Sequence, residues 1–301
     1  MVKRRRVYTR GVPAGWVRPT ARDLQILELI HAFDGMASLK QIWRRFFPGR
    51  SESAPRNRLK LLCDAGYLTM PVNHDQLRWV PPGEVVYWLD TEGAKLLAGQ
   101  QGVEYKDFRW QRSGRWSKIG HDLLVNNFRL VVTEACERHQ ELALREWVPE
   151  SDFLVNKDTI SYKTAQGHTS SRIMQPDGFF LVQKPSQRYP GRWAHYAFLL
   201  EVDNSTESGI RFGRDKVPPG VAYLASDLYT QRFGIEYGRF VVVATNQERM
   251  FNIKEQTERF GGGDLFYFTT FAHLSAQRIF SEPIWWRAGS AERWMLIPPS
   301  D

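Results

Sequence analysis

The apolar positions of the chain keep a helical period, switch to a strand period, lose both, and start again. Over residues 20–33, "TARDLQILELIHAF", Leu24, Leu27, Ile30 and Phe33 recur at helical spacing behind Thr20, a residue type that caps helix N-termini. Ser38 opens a second short helical run, "LKQIWRRFF", which Pro48 and Gly49 end. A third helix is predicted in "SESAPRNRLKLLCDAGYL" (51–68), with Leu59, Leu62 and Cys63 facing inward while Arg56, Asn57 and Lys60 point elsewhere. The period then shortens: "YLTMPV", the polar turn "NHDQ" and "LRWV" predict a β-hairpin, "VVYWL" a further strand and "TEGAKLLAG" a closing helix. Residues 100–118, "QQGVEYKDFRWQRSGRWSK", lose periodicity and read as a linker.

Beyond the linker, "KIGHDLLVNNFRLVVTEACERHQ" (118–140) predicts an amphipathic helix whose stripe is Leu124, Phe128, Val131 and Val132, and "ELALREWVPESDF" a strand. Two apolar runs follow, "MQPDGFFLV" (174–182) and "HYAFLLEVDNSTES" (195–208), joined by a turn centred near Arg188. Paired as an antiparallel hairpin about that centre, opposite residues sum to about 377, which sets Asp177 across from Leu200, beside Glu201. Alternation puts Glu201 and Asp203 on one face, away from Leu200 and Val202. "DKVPPGVAYLASDLYTQRF" is expected to be helical after Pro219, followed by a strand at 239–245, a helix at 252–260 and a strand at 264–271. The final "SEPIWWRAGSAERWMLIPPSD" carries three tryptophans that suit core, a dimer contact or a docking tail equally well.

Charge adds a partner class to this picture. Residues 1–115 hold 20 Lys and Arg against 11 Asp and Glu, or +9, and the remaining 21 against 22 give −1. A basic excess confined to the first third points to a polyanion, nucleic acid being the commonest. No apolar run nears the roughly 20 residues that cross a bilayer, and "MVKRRRVYTR" has no apolar segment behind it, so a cytoplasmic location is expected. Cys63 and Cys136 stand far apart and in no C-x-x-C pair, which excludes a disulfide framework and a cysteine zinc site and reads as two buried small hydrophobes. In the linker, Arg109, Arg112, Arg115 and Lys118 alternate with Trp110 and Trp116, a mixture that holds a nucleic-acid strand or anchors the linker onto its neighbours.

Acids inside apolar strands are costly unless compensated, and Asp177, Glu201 and Asp203 brought together are the expected ligands of Mg²⁺ or Mn²⁺. No phosphate-cradling G-x-x-x-x-G-K-[ST] loop occurs, and no His-x-His pair among seven histidines, which disfavours a motor and a histidine-cradled relaxase. Tyr223 and Tyr229 remain as nucleophiles for a different architecture.

The element order of residues 18–100 resembles the winged-helix family of DNA-binding domains. In that family the third helix enters the major groove and the wing touches backbone or minor groove, which implicates Arg56, Asn57, Arg58 and Lys60, with Arg78 on the wing. The order that follows, with Pro176-Asp177 and Glu201-Val202-Asp203, resembles the PD-(D/E)XK, restriction-endonuclease-like superfamily. That likeness makes Asp177 and Glu201 metal ligands, but the superfamily's Lys two residues after the Glu is here Asp203; Lys216, or Lys184 on the preceding strand, would have to supply the amine. Over nearly the whole chain, "HDLLVNNF", "PDGFFLV" and "FLLEVDNSTES" resemble the replication-relaxation family of plasmids and integrative elements, in which His121, Asn126, Glu201, Asp203 and Thr206 match motif positions.

The fold expected is therefore α+β: a basic arm (1–17), a winged helix-turn-helix domain (18–100), a linker (101–117) and an α/β nuclease-like domain with a mixed central sheet (118–301). The expected function is action on double-stranded DNA in plasmid replication or relaxation. It takes one of two forms: a metal-dependent DNA nickase or endonuclease with catalytic Asp177, Glu201, Asp203, Lys216, His121 and Asn126, or a catalytically inactive, nuclease-like DNA-binding adaptor or transcriptional regulator that recruits replication or conjugation proteins. A homodimer is compatible with either, and a membrane partner with neither.

Overall fold

The computed structural model describes residues 7–11, 17–164, 166–186, 188–204 and 208–298. Most of the expected basic arm and Thr206 lie outside the described residues. The chain divides into two compact units, Met1–Asn127 and Phe128–Asp301. Together they form a mixed α+β structure with a large mixed sheet. Among the described residues no helix is long and apolar enough to cross a membrane.

In the first unit, α1 (Ala21–Ala32) starts at a capping box: Asp23 N donates to Thr20 Oγ1, and Asp23 Oδ2 accepts from Thr20 N at 2.7 Å. After β1 (Met36–Ser38), Ser38 and Gln41 repeat the device at the start of α2 (Leu39–Phe46). α3 (Ser53–Asp64) then buries Leu59, Leu62 and Cys63 as the period requires. β2 (Leu68–Thr69) follows, but the predicted hairpin does not form. Asn73 Oδ1 instead accepts from Gln76 N, and Gln76 Oε1 from Val72 N, each at 2.8 Å, so the polar run winds into one turn of helix, α4 (His74–Leu77). Arg78 therefore ends a helical turn rather than riding a strand. β3 (Val86–Leu89) pairs with both β1 and β2, and α5 (Thr91–Gln100) closes the run.

The presumed linker belongs to this unit. Phe108 is buried with its ring 4.9 Å from that of His31, and Trp116 packs edge-on against Trp88 at 5.2 Å. The division between units falls ten residues past the expected 117/118, inside α6 (Ile119–Arg138).

The second unit is built on a seven-stranded sheet. It uses β4 (Ala143–Pro149), β7 (Gly178–Pro185), β8 (Trp193–Asp203), β9 (Arg239–Ala244), β10 (Phe266–Thr270), β11 (Trp285–Arg287) and β12 (Arg293–Trp294), in the spatial order β12-β11-β10-β9-β8-β7-β4. Strands β8, β9 and β10 are parallel, linked by α8 (Gly209–Leu224) with α9 (Asp227–Phe233), and by α10 (Gln247–Arg259). Residues 150–153, expected as strand, open α7 (Glu150–Val155), because Pro149 ends β4 with an extended backbone that serves as an N-cap. β5 (Asp158–Lys163) and β6 (Thr169–Met174) form a separate hairpin that the polar-rich sequence did not announce.

Two helices are longer than their sequences suggested. α8 begins at Gly209 and runs through Pro218 and Pro219, since Phe212, Val217, Tyr223 and Leu224 bury themselves in the core and outweigh the lost helical hydrogen bonds. α10 begins at Gln247, behind an Asn246 cap. Of the three tail tryptophans, Trp285 and Trp286 are core residues of β11, while Trp294 is half-buried in the edge strand β12. Both cysteines are free and buried.

Packing between α8 and α10 depends on glycine. A Cβ on Gly213 would lie 2.6 Å from Phe260 Cδ2 and 3.0 Å from the Gln256 carbonyl oxygen, so no larger residue fits without parting the helices. Gly213→Val should cost about 1–3 kcal/mol and lower the thermal midpoint by several degrees, followed by circular dichroism. An unchanged midpoint would show that the close approach is not needed.

Candidate functional site

The candidate site in the second unit is built from Asp177, just before β7, and Glu201 and Asp203 of β8. The observed register pairs Gly178 with Leu200, a sum of 378 rather than 377. The ladder ends there, and Asp177, in the bend just before β7, lies beside the Leu200–Val202 stretch of β8. Asp177 N donates to Leu200 O at 2.9 Å, and the carboxylate accepts from Val202 N at 2.6 Å. Asp177, Glu201 and Asp203 are each less than a tenth exposed.

Alternation along β8 decides what those acids meet. Ala197 and Leu199 share their face with Glu201 and Asp203 and pack in the same core as Phe212 and Val217 of α8 and Met250 and Ile253 of α10. The charged partners arrive from the same two helices. Lys216 Nζ of α8 forms an ion pair with Glu201 Oε2, while Arg249 of α10 grips Asp203 with two parallel bonds of 2.7 Å. Lys184, the other candidate amine, sits near the opposite end of β7, paired in register with Ala194 and 3.7 Å from Glu141. Among the described residues no group of three or more His, Cys, Asp or Glu is gathered as metal ligands.

Beside Asp203 an open cleft of about 470 Å³ is lined by Ser208, Gly209, Asn246, Glu248, Arg249 and Asn252. It lies beyond the carboxyl ends of parallel β8 and β9, where the N-termini of α8 and α10 meet, a position suited to an anion. Arg249 belongs to both the cleft and the Asp203 pair. Nothing in the sequence signalled this Arg, because its partner is 46 residues away.

The tyrosines are not nucleophiles. Tyr223 and Tyr229 have no exposed surface, and burial raises both phenols far above their ordinary range. The Tyr223 hydroxyl donates to Asp158 at 2.5 Å, and Arg232 bridges Asp158 and Asp152, which makes this a structural network.

In the first unit the expected DNA-facing cations separate into two groups. Arg56, Asn57 and Lys60 are exposed on α3, Arg56 paired with Glu52 and Lys60 with Asp64 on their own helix. Arg78 lies exposed with its guanidinium 5.3 Å from the ring of exposed Trp79; Arg109 and Arg112 are exposed as well, Arg112 over Trp110. Arg58 and Arg115 are instead committed inward. Arg58 holds buried Asp23 through bonds of 2.9 and 2.5 Å, tying α3 to the cap of α1, and Arg115 holds Asp122 at 2.6 Å.

His121 is half-buried in the first turn of α6. Asn126 is buried, and its Nδ2 donates to Met36 O at 3.0 Å and Phe33 O at 3.5 Å, fastening α6 to the turn between α1 and β1. Gln41 adds bonds to Leu123 O and Asn127 Oδ1, so this helix motif has a structural task within the first unit.

Burial alone would raise the Asp23 carboxyl, but hydrogen bonds from Arg58 and Thr20 hold it below the ordinary aspartate value. A depressed folded pKa stabilises above the unfolded value and loses that contribution as pH falls through the folded one. Arg58→Ala should therefore destabilise the protein by about 3 kcal/mol at neutral pH, since it strands a buried carboxylate. Urea unfolding across pH should show the gap between variant and wild type closing below about pH 4. A gap that persists unchanged at low pH would contradict this account of Asp23.

Compared with known protein families, the chain matches the one described as Replication-relaxation over residues 27–217. No curated protein and no solved structure matches it.

Proposed function

The chain belongs to the replication-relaxation family, and from that premise we propose that it is a DNA-binding protein of a mobile element that acts in plasmid replication or DNA relaxation. On this reading the first unit is a winged helix-turn-helix that selects duplex DNA, and the second is a nuclease-like domain that cuts one strand with the help of a divalent metal. Arg56, Asn57 and Lys60 on α3 and Arg78 after α4 offer exposed groups for base edges and phosphates.

One observation carries the catalytic part. The third position of the Glu-Val-Asp stretch lacks the superfamily's Lys, yet Lys216 brings its amine from α8 onto Glu201, whose chain neighbour Val202 donates its N–H to the Asp177 carboxylate. Two acids and a Lys are thus supplied from one strand, the loop before another, and a helix. Mg²⁺ or Mn²⁺ fits these donors, because Mg²⁺ is commonly held by one or two carboxylates with water and substrate phosphate in its other positions. Bound there, it would polarise the scissile phosphate and lower the pKa of a coordinated water. Lys216 orients Glu201 and places positive charge where the transferring phosphate becomes more negative. Arg249 and the helix N-termini of the cleft are positioned to hold a neighbouring phosphate.

A second reading has its own support. Glu201 and Asp203 already have cationic partners, and no three-ligand group occurs among the described residues. Such a charge-balanced cluster also suits a non-cutting platform that recruits replication or conjugation proteins, or a second copy of the chain.

Incubating supercoiled plasmid with the protein and Mg²⁺ or Mn²⁺ separates the two. The catalytic reading predicts metal-dependent nicking that falls by at least about 100-fold in Asp177→Ala and Glu201→Ala, and substantially in Lys216→Ala, while gel retention persists. Retention without nicking, unaffected by these substitutions, selects the adaptor.

A further inference from the structure

The hairpin joining β7 to β8 ends in a cationic, aromatic tip at the far end of both strands from the acids. Its turn is built rather than loose. Arg192 N donates to Tyr189 O at 3.0 Å across Pro190 and Gly191, and Gly191 has a φ of 80°. Proline second and a positive-φ glycine third are the requirements of a type II turn. Ser186 N donates to Arg192 O at 2.8 Å and Ser186 Oγ accepts from Tyr189 N at 3.1 Å, fixing the base of the tip.

What this turn presents to solvent is unusual. Tyr189 and Trp193 are 51% and 53% exposed, so two large rings stand in water. The guanidinium groups of Arg188 and Arg192 lie 5.4 and 5.8 Å from the Tyr189 ring centroid. Neither Arg forms a salt bridge to a carboxylate among the described residues, whereas Arg211, Arg214, Lys216, Arg232 and Arg249 of the same unit do. Exposed rings with unneutralised cations match a ligand that offers flat apolar faces and negative charge together. Duplex DNA hides its base faces in the stack, whereas a single strand offers both bases and phosphates.

We propose that this tip binds single-stranded nucleic acid, with Tyr189 and Trp193 stacking on successive bases and Arg188 and Arg192 contacting the phosphates. The proposal rests on the reading of the protein as one that acts on DNA in replication, a process that exposes unpaired strands. Trp193 lies eight residues before Glu201 on β8, roughly 26 Å at about 3.3 Å per residue, so the tip and the acids are separate contact points on one rigid strand.

Fluorescence anisotropy of the full chain tests it, using labelled oligothymidylate and oligouridylate of about 20 nucleotides, longer than the roughly 4–16 that single-strand sites cover, and a labelled duplex. Tyr189→Ala and Trp193→Ala should each weaken single-strand binding about tenfold, with Tyr189→Phe close to wild type. The double variant Arg188→Glu, Arg192→Glu should lose more and show a shallower salt dependence. Duplex affinity should change less than about twofold in all of them. The tighter of the two oligonucleotides identifies whether DNA or RNA is the strand bound. Single-strand affinity unchanged by these substitutions overturns the proposal, as does an equal loss on duplex. Arg56→Ala with Arg78→Ala tests the duplex reading separately, because its effect should appear on duplex and leave the single-strand affinity intact.

Discussion

Two carboxylates buried near the end of a central strand set the terms for the rest of the second unit. β9 pairs with β8 through Glu201 and Asp203, and past Leu200, where the β7 ladder ends, the Asp177 carboxylate accepts from Val202 N; both β8 carboxylates are buried. Removing each such charge from water costs several kcal/mol unless a partner with good geometry replaces the solvent. The partners, Lys216 and Arg249, come from the two helices that cover that face. Those helices reach their positions only because Gly213 lets them approach closely. The same helix starts frame the cleft beside Asp203, so charge balance, helix packing and the anion-ready pocket are one arrangement rather than three.

The first unit solves a similar problem with different parts. Asp23 is almost wholly buried, yet it serves at once as the capping partner of Thr20 and as the anchor for Arg58. Asn126 and Gln41 secure the start of α6 to the turn after α1 and to α2. These polar links hold the three helices in register while leaving Arg56, Asn57 and Lys60 exposed on α3. A rigid support with exposed hydrogen-bonding side chains is what recognition of a duplex requires.

Much of this was legible in the sequence because it is local. Caps at Thr20 and Ser38, the period of α1 to α3, and the alternation of β7 and β8 all follow from near neighbours. Even the β7–β8 pairing came within one residue of the observed register, with Asp177 next to Leu200. What escaped were decisions made at long range. Arg58 looks like an exposed reader until Asp23, 35 residues earlier, claims it, and Arg249 has no signal at all until α10 is folded over β8. Competing local chemistry accounts for the rest. Asn73 and Gln76 cap a helical turn where a β-turn was expected, and the core contacts of α8 carry it through two prolines that mark a helix start in isolation.

Calorimetry tests the proposed metal-binding pair of Asp177 and Glu201, completed by Lys216, without requiring any DNA substrate. Titrating Mn²⁺ into the full chain should give saturable heat from the wild type that is abolished in Asp177→Asn and Glu201→Gln and retained in Arg56→Ala. Equal heats from wild type and both acid variants, or none from any of them, would contradict a metal site at this pair.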